Sequence, residues 1–311
     1  MSENKLISVL PQVQVNVELK KYTTISLGGK AKYLITVKDL RGLIDAISAA
    51  RSLAMPYRVI GFGSNLLISD KGFDGLVIIN RSNSLQVDKT KSMVISDGGV
   101  SLSKLILEAA TNGLSGMEQM FGIPGTVAGA ISVNAGAHEV SVSKFLKSAT
   151  IMLSSDKIVS VNAEWFNFEY RSSRLKYKKD DFPPVILSAI FQFGQKRTQD
   201  ILEEINKYKQ WREKNQPVGE KTCGSVFKNP SRSHKQDEKE SSAGFLLDDS
   251  GAKKLKVGSV KVSKRHANWI INDGRGTALD ARMLIEQMRG LVLDKYGVSL
   301  EEEIEYLGDW S

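Results

Sequence analysis

The sequence predicts a mixed helix-and-strand protein of two or three domains, and three observations carry that prediction. The chain has 311 residues, more than one ordinary hydrophobic core organises. Strand-length apolar runs alternate with helix-periodic ones from Asp39 to Tyr296. The composition, 41% hydrophobic and 25% charged, is that of a folded globular chain.

In chain order, T-T-I-S-L-G-G-K-A (23–31) is a polar turn followed by paired glycines. Asp39 caps a helix through Ala54, with Leu40, Leu43, Ile44 and Ile47 at i, i+3, i+4 and i+7. Tyr57 to Ile60, Leu66 to Ile68 and Leu76 to Ile79 are short strands. Between the first two lies G-F-G-S-N (61–65), whose Gly61 and Gly63 let the backbone approach a ligand closely. Ser64 and Asn65 there can bond phosphate oxygens. The stretch is neither a Rossmann fingerprint nor a P-loop, since the third glycine and the G-K-[ST] ending are missing. A simple tight turn competes with the ligand reading.

From Met93 a strand, a turn and a helix follow, the helix capped by Ser101 and stopped at Gly113. F-G-I-P-G-T-V-A-G-A-I-S-V-N-A-G (121–136) then carries four glycines and no charge. Its small residues suit close backbone approach to something flat or phosphorylated. A packed helical turn is the competing reading, disfavoured by so many glycines. Ala149 to Val161 predicts a hairpin turning at Ser154–Asp156, and Asn162 to Phe166 one helical turn. Arg171 and Arg174 follow beside Tyr170, and an arginine fork matches a carboxylate. Val185 to Phe193 is a strand. Thr198 to Lys214 is an amphipathic helix, read as the start of a further domain.

K-T-C-G-S-V-F-K-N-P (221–230) sets Ser225 between a glycine and Val226–Phe227, which predict a short buried strand. It is not a hydrolase elbow, because Phe227 stands where the second glycine belongs. Lys228 supplies a point charge for phosphate or carboxylate, and Asn229 an amide donor and acceptor. Ser231 to Ser242 is polar and predicts a mobile surface loop. Ser242 caps a short helix ending at Gly251. K-R-H-A-N-W-I-I-N-D-G-R-G (264–276) predicts a strand flanked by basic residues and a glycine turn, and Thr277 with Asp280 a capping-box start to a helix through Tyr296. L-E-E-E-I-E-Y-L-G (300–308) sets an acidic run on an alternating strand.

Several function classes are excluded. No apolar run approaches the roughly 20 residues of a membrane span, and the N-terminus lacks a secretion signature. The single cysteine, Cys223, allows no intrachain disulfide and fits a reducing compartment. His138, His234 and His266 have no zinc-type spacing, so no metal is expected. The net charge of +8 suits small anions as well as nucleic acid, and no nucleic-acid motif accompanies it. A cytoplasmic protein is expected.

Seven segments, in order and spacing, resemble one family. They are T-T-I-S-L-G-G-K-A, G-F-G-S-N-L-L, G-M-E-Q-M-F-G-I-P-G-T-V-A-G-A, Y-R-S-S, G-S-V-F-K-N-P, H-A-N-W-I-I-N and L-E-E-E-I-E-Y-L-G. The family is UDP-N-acetylenolpyruvoylglucosamine reductase (UDP-N-acetylmuramate dehydrogenase), in its shorter form without an extra substrate-covering insertion. The resemblance runs from about Tyr22 to Gly308.

It implies an α+β fold: a two-lobed FAD-binding fold of the vanillyl-alcohol-oxidase type (lobes 1–80 and 81–197) plus a C-terminal α+β substrate-binding domain (198–311). It implies non-covalent FAD, NADPH as co-substrate, and reduction of UDP-N-acetylglucosamine enolpyruvate to UDP-N-acetylmuramate for peptidoglycan. A monomer bound to neither membrane nor nucleic acid is expected. FAD is assigned to Gly61, Gly63, Ser64 and Asn65, to Gly122, Ile123, Pro124, Gly125 and Thr126, and to Gly129, Ala130, Asn134, Ala135 and Gly136. The catalytic residues implied are Ser225, Arg171 and Glu303, with Lys228 and Asn229 holding substrate. Glu303 is set apart from Glu301 and Glu302 by register alone; strand alternation would put Glu301 on its face and Glu302 on the other. In the implied reaction Ser225 is the general acid, while Arg171 and Glu303 stabilise an enolate.

This chain departs from the family at Ala128, at His138 where tyrosine is common, and in the longer 231–242 loop. Two other readings compete. A flavoenzyme of the same fold acting on another substrate would fail a product assay with the enolpyruvyl sugar nucleotide. A non-catalytic basic protein that binds nucleic acid or nucleotide would be colourless.

Overall fold

Residues 2–176, 182–230 and 242–311 are described by a computed structural model; the expected mobile loop at 231–242 lies outside them except for Ser242. Among the described residues the α-helices are α1 (Ser2–Val9), α2 (Leu40–Ser52), α3 (Leu102–Thr111), α4 (Val127–Ser132), α5 (Thr198–Asn215), α6 (Ala243–Asp249) and α7 (Ala278–Tyr296). Their ends follow local chemistry. Asp39, Ser101 and Ser242 each accept a backbone N–H of the first turn. Thr277 and Asp280 form a reciprocal capping box, and Gly297 ends α7 in the left-handed conformation.

Contacts divide the chain into two compact units. The first comprises residues 1–15, 33–61 and 75–211, the second residues 16–32, 62–74 and 212–311. In the first unit, strand Tyr57–Ile60 runs parallel to residues 76–79 of strand Phe73–Asn80, Tyr57 opposite Leu76. Leu43, Ala46 and Ile47 of α2 are buried in the core with Tyr57, Leu76 and Ile78. The same unit contains a five-stranded antiparallel sheet, ordered 158–162, 146–152, 185–192, 93–97, 85–88. The hairpin within it turns where expected, with Leu153 N–H donating to Lys157 and Asp156 at φ 63°. Leu105 and Ile106 of α3 and Val127 and Ile131 of α4 are buried in its core.

In the second unit, strands 256–257, 260–262 and 270–272 form a small antiparallel sheet, and α6 and α7 share its core. A parallel pair joins Glu305–Leu307 to Leu66–Ile68.

These divisions differ from the expected boundaries at 80 and 198. Residues 16–32 and 62–74 go with the C-terminal part, because strand 66–68 finds its partner at 305–307. Most of α5 goes with the first unit, where Ile201 and Ile205 are buried in the core of the five-stranded sheet. Within the run 264–276 the strand is Ile270–Asn272. Ser263 Oγ accepts from Arg265 and His266 N–H, turning the basic run instead of extending it.

Candidate active site

The glycine-rich stretch 121–136 is partly a helix, contrary to the reading that disfavoured one. Thr126 caps α4 by accepting Gly129 N–H, and burial of Val127, Ala130 and Ile131 outweighs the weak helix propensity of glycine. An added Cβ at Gly129 would meet only Thr126 Oγ1, at 3.4 Å, and Gly122, Pro124 and Gly129 are exposed. Among the described residues, the first turn of α4 therefore presents an open face at Gly129. Gly61 joins this stretch: a Cβ there would fall 2.6 Å from Thr126 Oγ1. The open turn, the small residues and the contact between Gly61 and Thr126 fit a flat, phosphorylated group such as FAD. Ile123 and Gly125 are half-buried beside the open turn, while Ala135 is buried in the core. Gly136 is required by the chain itself, since its Cβ would lie 2.4 Å from Val140 O.

Asn134, expected at the cofactor, uses its side chain internally. Nδ2 donates to Glu169 O at 2.9 Å and Oδ1 accepts from Ser143 N–H at 3.2 Å. Arg171 lies near by in the same unit. It occupies a left-handed conformation (φ 53°), and its Nη2 donates to Gly136 O at 2.5 Å. The guanidinium carbon stands 5.5 Å from the centre of the Tyr170 ring.

The second unit gathers the other candidates. Gly63 is tied to its neighbours, because a Cβ there would lie 2.2 Å from Tyr22 O. Gly224, at φ 82°, lies against Ser64: a Cβ there would be 3.5 Å from Ser64 O. Asn65 Nδ2 donates to Glu303 O at 3.1 Å, and Asn65 O accepts from Glu305 N–H at 2.9 Å. Thus Gly63–Asn65, Gly224–Ser225 and Glu303 form one cluster.

Val226 and Phe227 are fully buried but belong to no regular strand. Single bridges flank them instead, Ser225 opposite Trp269 and Phe227 opposite Glu302. Asn268 supplies the rest: its Oδ1 accepts from Phe227 N–H at 3.0 Å and its Nδ2 donates to Phe227 O at 2.8 Å. Lys228 N–H donates to Glu301 O, and Glu303 N–H to Val226 O. Ser225 is half-buried at the start of this clamped segment.

The three carboxylates have different surroundings. Lys228 Nζ donates to Glu301 Oε1 at 2.5 Å, with the lysine side chain 8% exposed. Arg289 of α7 pairs with Glu302 and lies over the Phe227 ring. The expected alternating strand begins only at Glu305, so the acidic run precedes it. Lys228, expected at the substrate, is held by a carboxylate of the chain, and Asn229 Oδ1 accepts from Ala243 N–H. Sequence reasoning singled out neither Asn268 nor Arg289. A polar residue inside the buried run A-N-W-I-I was the available sign for Asn268; Arg289 gave none.

Comparison with known proteins identifies the family of the chain. Residues 31–162 match the family model "FAD binding domain". Residues 216–307 match "UDP-N-acetylenolpyruvoylglucosamine reductase, C-terminal domain". A UDP-N-acetylenolpyruvoylglucosamine reductase of Caldicellulosiruptor saccharolyticus is 36% identical over 94% of this chain and 91% of its own. That of Bacillus licheniformis is 34% identical over 98% of this chain and 99% of its own. The crystal structure of UDP-N-acetylenolpyruvylglucosamine reductase from Thermus caldophilus superposes with a TM-score of 0.77 at 32% identity. It covers 95% of this chain and 99% of that one.

Proposed function

The chain belongs to the UDP-N-acetylenolpyruvoylglucosamine reductase family, and from that premise we propose that Ser225, Arg171 and Glu303 carry its chemistry. The activity is the NADPH-dependent reduction of UDP-N-acetylglucosamine enolpyruvate to UDP-N-acetylmuramate, with FAD as cofactor. FAD, when bound, supplies hydride transfer from NADPH to the terminal carbon of the enolpyruvyl group. The residues of the chain manage charge and the proton. As the carboxylate end of the enolpyruvyl group gains charge, the Arg171 fork stabilises it. Glu303 assists as an acid or hydrogen-bond partner. Ser225 gives its proton to the other carbon, because an enolate is basic enough to take it.

The observation that carries this reading is the clamp on Ser225: Val226 and Phe227 are immobilised on both sides, and Glu303 is bonded to the same segment through Val226 O. Gly61 and the α4 turn are the flavin contacts in this reading, together with Gly63, Ser64 and Asn65. Lys228 and Asn229 remain its substrate contacts, Lys228 exchanging Glu301 for a substrate anion. The enzyme is a cytoplasmic monomer in the same reading; among the described residues no helix is long and apolar enough to cross a membrane.

Ser225→Ala tests the assignment. It removes one hydroxyl and little volume, so flavin binding and reduction by NADPH stay near the wild-type rate. Reoxidation by substrate falls about 10²–10⁴-fold, the usual contribution of a positioned acid. Stopped-flow absorbance follows each half-reaction. Equal slowing of both halves would make Ser225 a structural residue.

A further inference from the structure

Arg171 is carried on a two-residue tip, Tyr170–Arg171, closed by the backbones of Glu169 and Ser172. Glu169 N–H donates to Ser172 O at 3.1 Å and Ser172 N–H to Glu169 O at 3.2 Å. So short a tip moves with its stem as one piece, and a pivot at the stem moves the guanidinium at its end. Asn134, from the segment after α4, holds the stem by donating to Glu169 O, and is itself held by Ser143 N–H. Two residues on, Gly136 O accepts from the guanidinium. One short segment therefore grips the arginine turn at stem and head.

The residue type matches the task. A carboxamide donates and accepts at once, which neither a carboxylate nor an apolar isostere can do. Asn134 is 7% exposed and left-handed (φ 45°), a conformation that asparagine tolerates and a branched residue does not. We propose that Asn134 is a positioning residue for Arg171, acting on the substrate half-reaction through the arginine turn, and not a side-chain contact to the flavin. The proposal rests on the reading that Arg171 stabilises the substrate carboxylate.

Asn134→Asp keeps the bond from Ser143 N–H and the left-handed backbone, but sets an acceptor against Glu169 O. Asn134→Gly tolerates the same backbone and removes both bonds, so it serves if the aspartate variant does not fold. Three quantities are measured on the flavin-loaded enzyme: its visible spectrum, its reduction rate with NADPH and its reoxidation rate with the enolpyruvyl substrate. The first two are expected to stay within about twofold, and reoxidation to fall about 10–100-fold, the scale of a slightly misplaced catalytic group. In an Arg171→Ala background the same Asn134 change is expected to add less than about twofold, because the two residues act as one unit.

Unchanged reoxidation in Asn134→Asp, with Arg171→Ala damaging, overturns the proposal alone. So do additive effects in the double variant, and so does lost flavin or equally slow reduction, either of which makes Asn134 a flavin-site residue. If Arg171→Ala leaves reoxidation intact, the reading of Arg171 fails and the proposal falls with it.

Discussion

Glu301, Glu302 and Glu303 are chemically identical, and only their neighbours tell them apart. A lysine amine closes on the first and an arginine of α7 on the second. The third is tied by its backbone to the Ser225 segment and to Asn65. Glu303→Gln is therefore expected to slow reoxidation by substrate about 100-fold or more, the scale of losing one stabilising group at a developing charge. Glu302→Gln instead weakens a largely buried ion pair. It is expected to lower the melting temperature, with reoxidation within about threefold of wild type, since its mechanism is loss of an ion pair. Stopped-flow rates and thermal melts of the two variants distinguish them. If Glu302→Gln stalls reoxidation and Glu303→Gln does not, the register is wrong by one. The sequence alone could not decide this, because strand alternation gives Glu301 and Glu303 the same face. The deciding cations come from Lys228 and from Arg289, which strand alternation does not bring into view.

The element on which the site turns is barely an element. Val226 and Phe227 were legible as buried from their side chains, yet no ladder secures them. Asn268 does so, with its carboxamide closing on both polar groups of Phe227. Removing it leaves a buried donor and a buried acceptor, each costing about 1–3 kcal/mol. Asn268→Ala is accordingly expected to destabilise the protein by about 2–6 kcal/mol on that reckoning, read as a lower denaturant midpoint. A loss below about 1 kcal/mol, within the range of a single ordinary hydrogen bond, would show that water replaces the clamp. Elements whose ends are written locally, such as α2 with Asp39 or α7 with its capping box, were legible outright. The six residues of α4 were not, because burial of Val127, Ala130 and Ile131 decides their state and propensity does not.

At the scale of the whole molecule, the chain twice enters the second compact unit and returns to the first by residue 75. That order hides the units from a reading that assumes contiguous domains, since the 62–74 segment meets its strand partner more than two hundred residues later. The family and its cofactor were legible all the same, because seven short segments keep their order whatever their partners. How FAD is attached follows from the inventory of nucleophiles. Covalent attachment through cysteine requires a thiolate. Cys223, the only cysteine, is fully buried, and burial pushes its thiol up to about 12. At neutral pH it is a protonated, inaccessible thiol. Among the histidines, His266 is held below its ordinary range by burial and by Lys253, and His138 packs against the rings of Tyr208 and Trp211. His234 lies outside the described residues. FAD is therefore expected to be held without a covalent bond, and acid precipitation of the yellow protein should leave the colour in the supernatant. Colour in the pellet would contradict this, and single His138→Ala and His234→Ala variants would then show which ring carries the link.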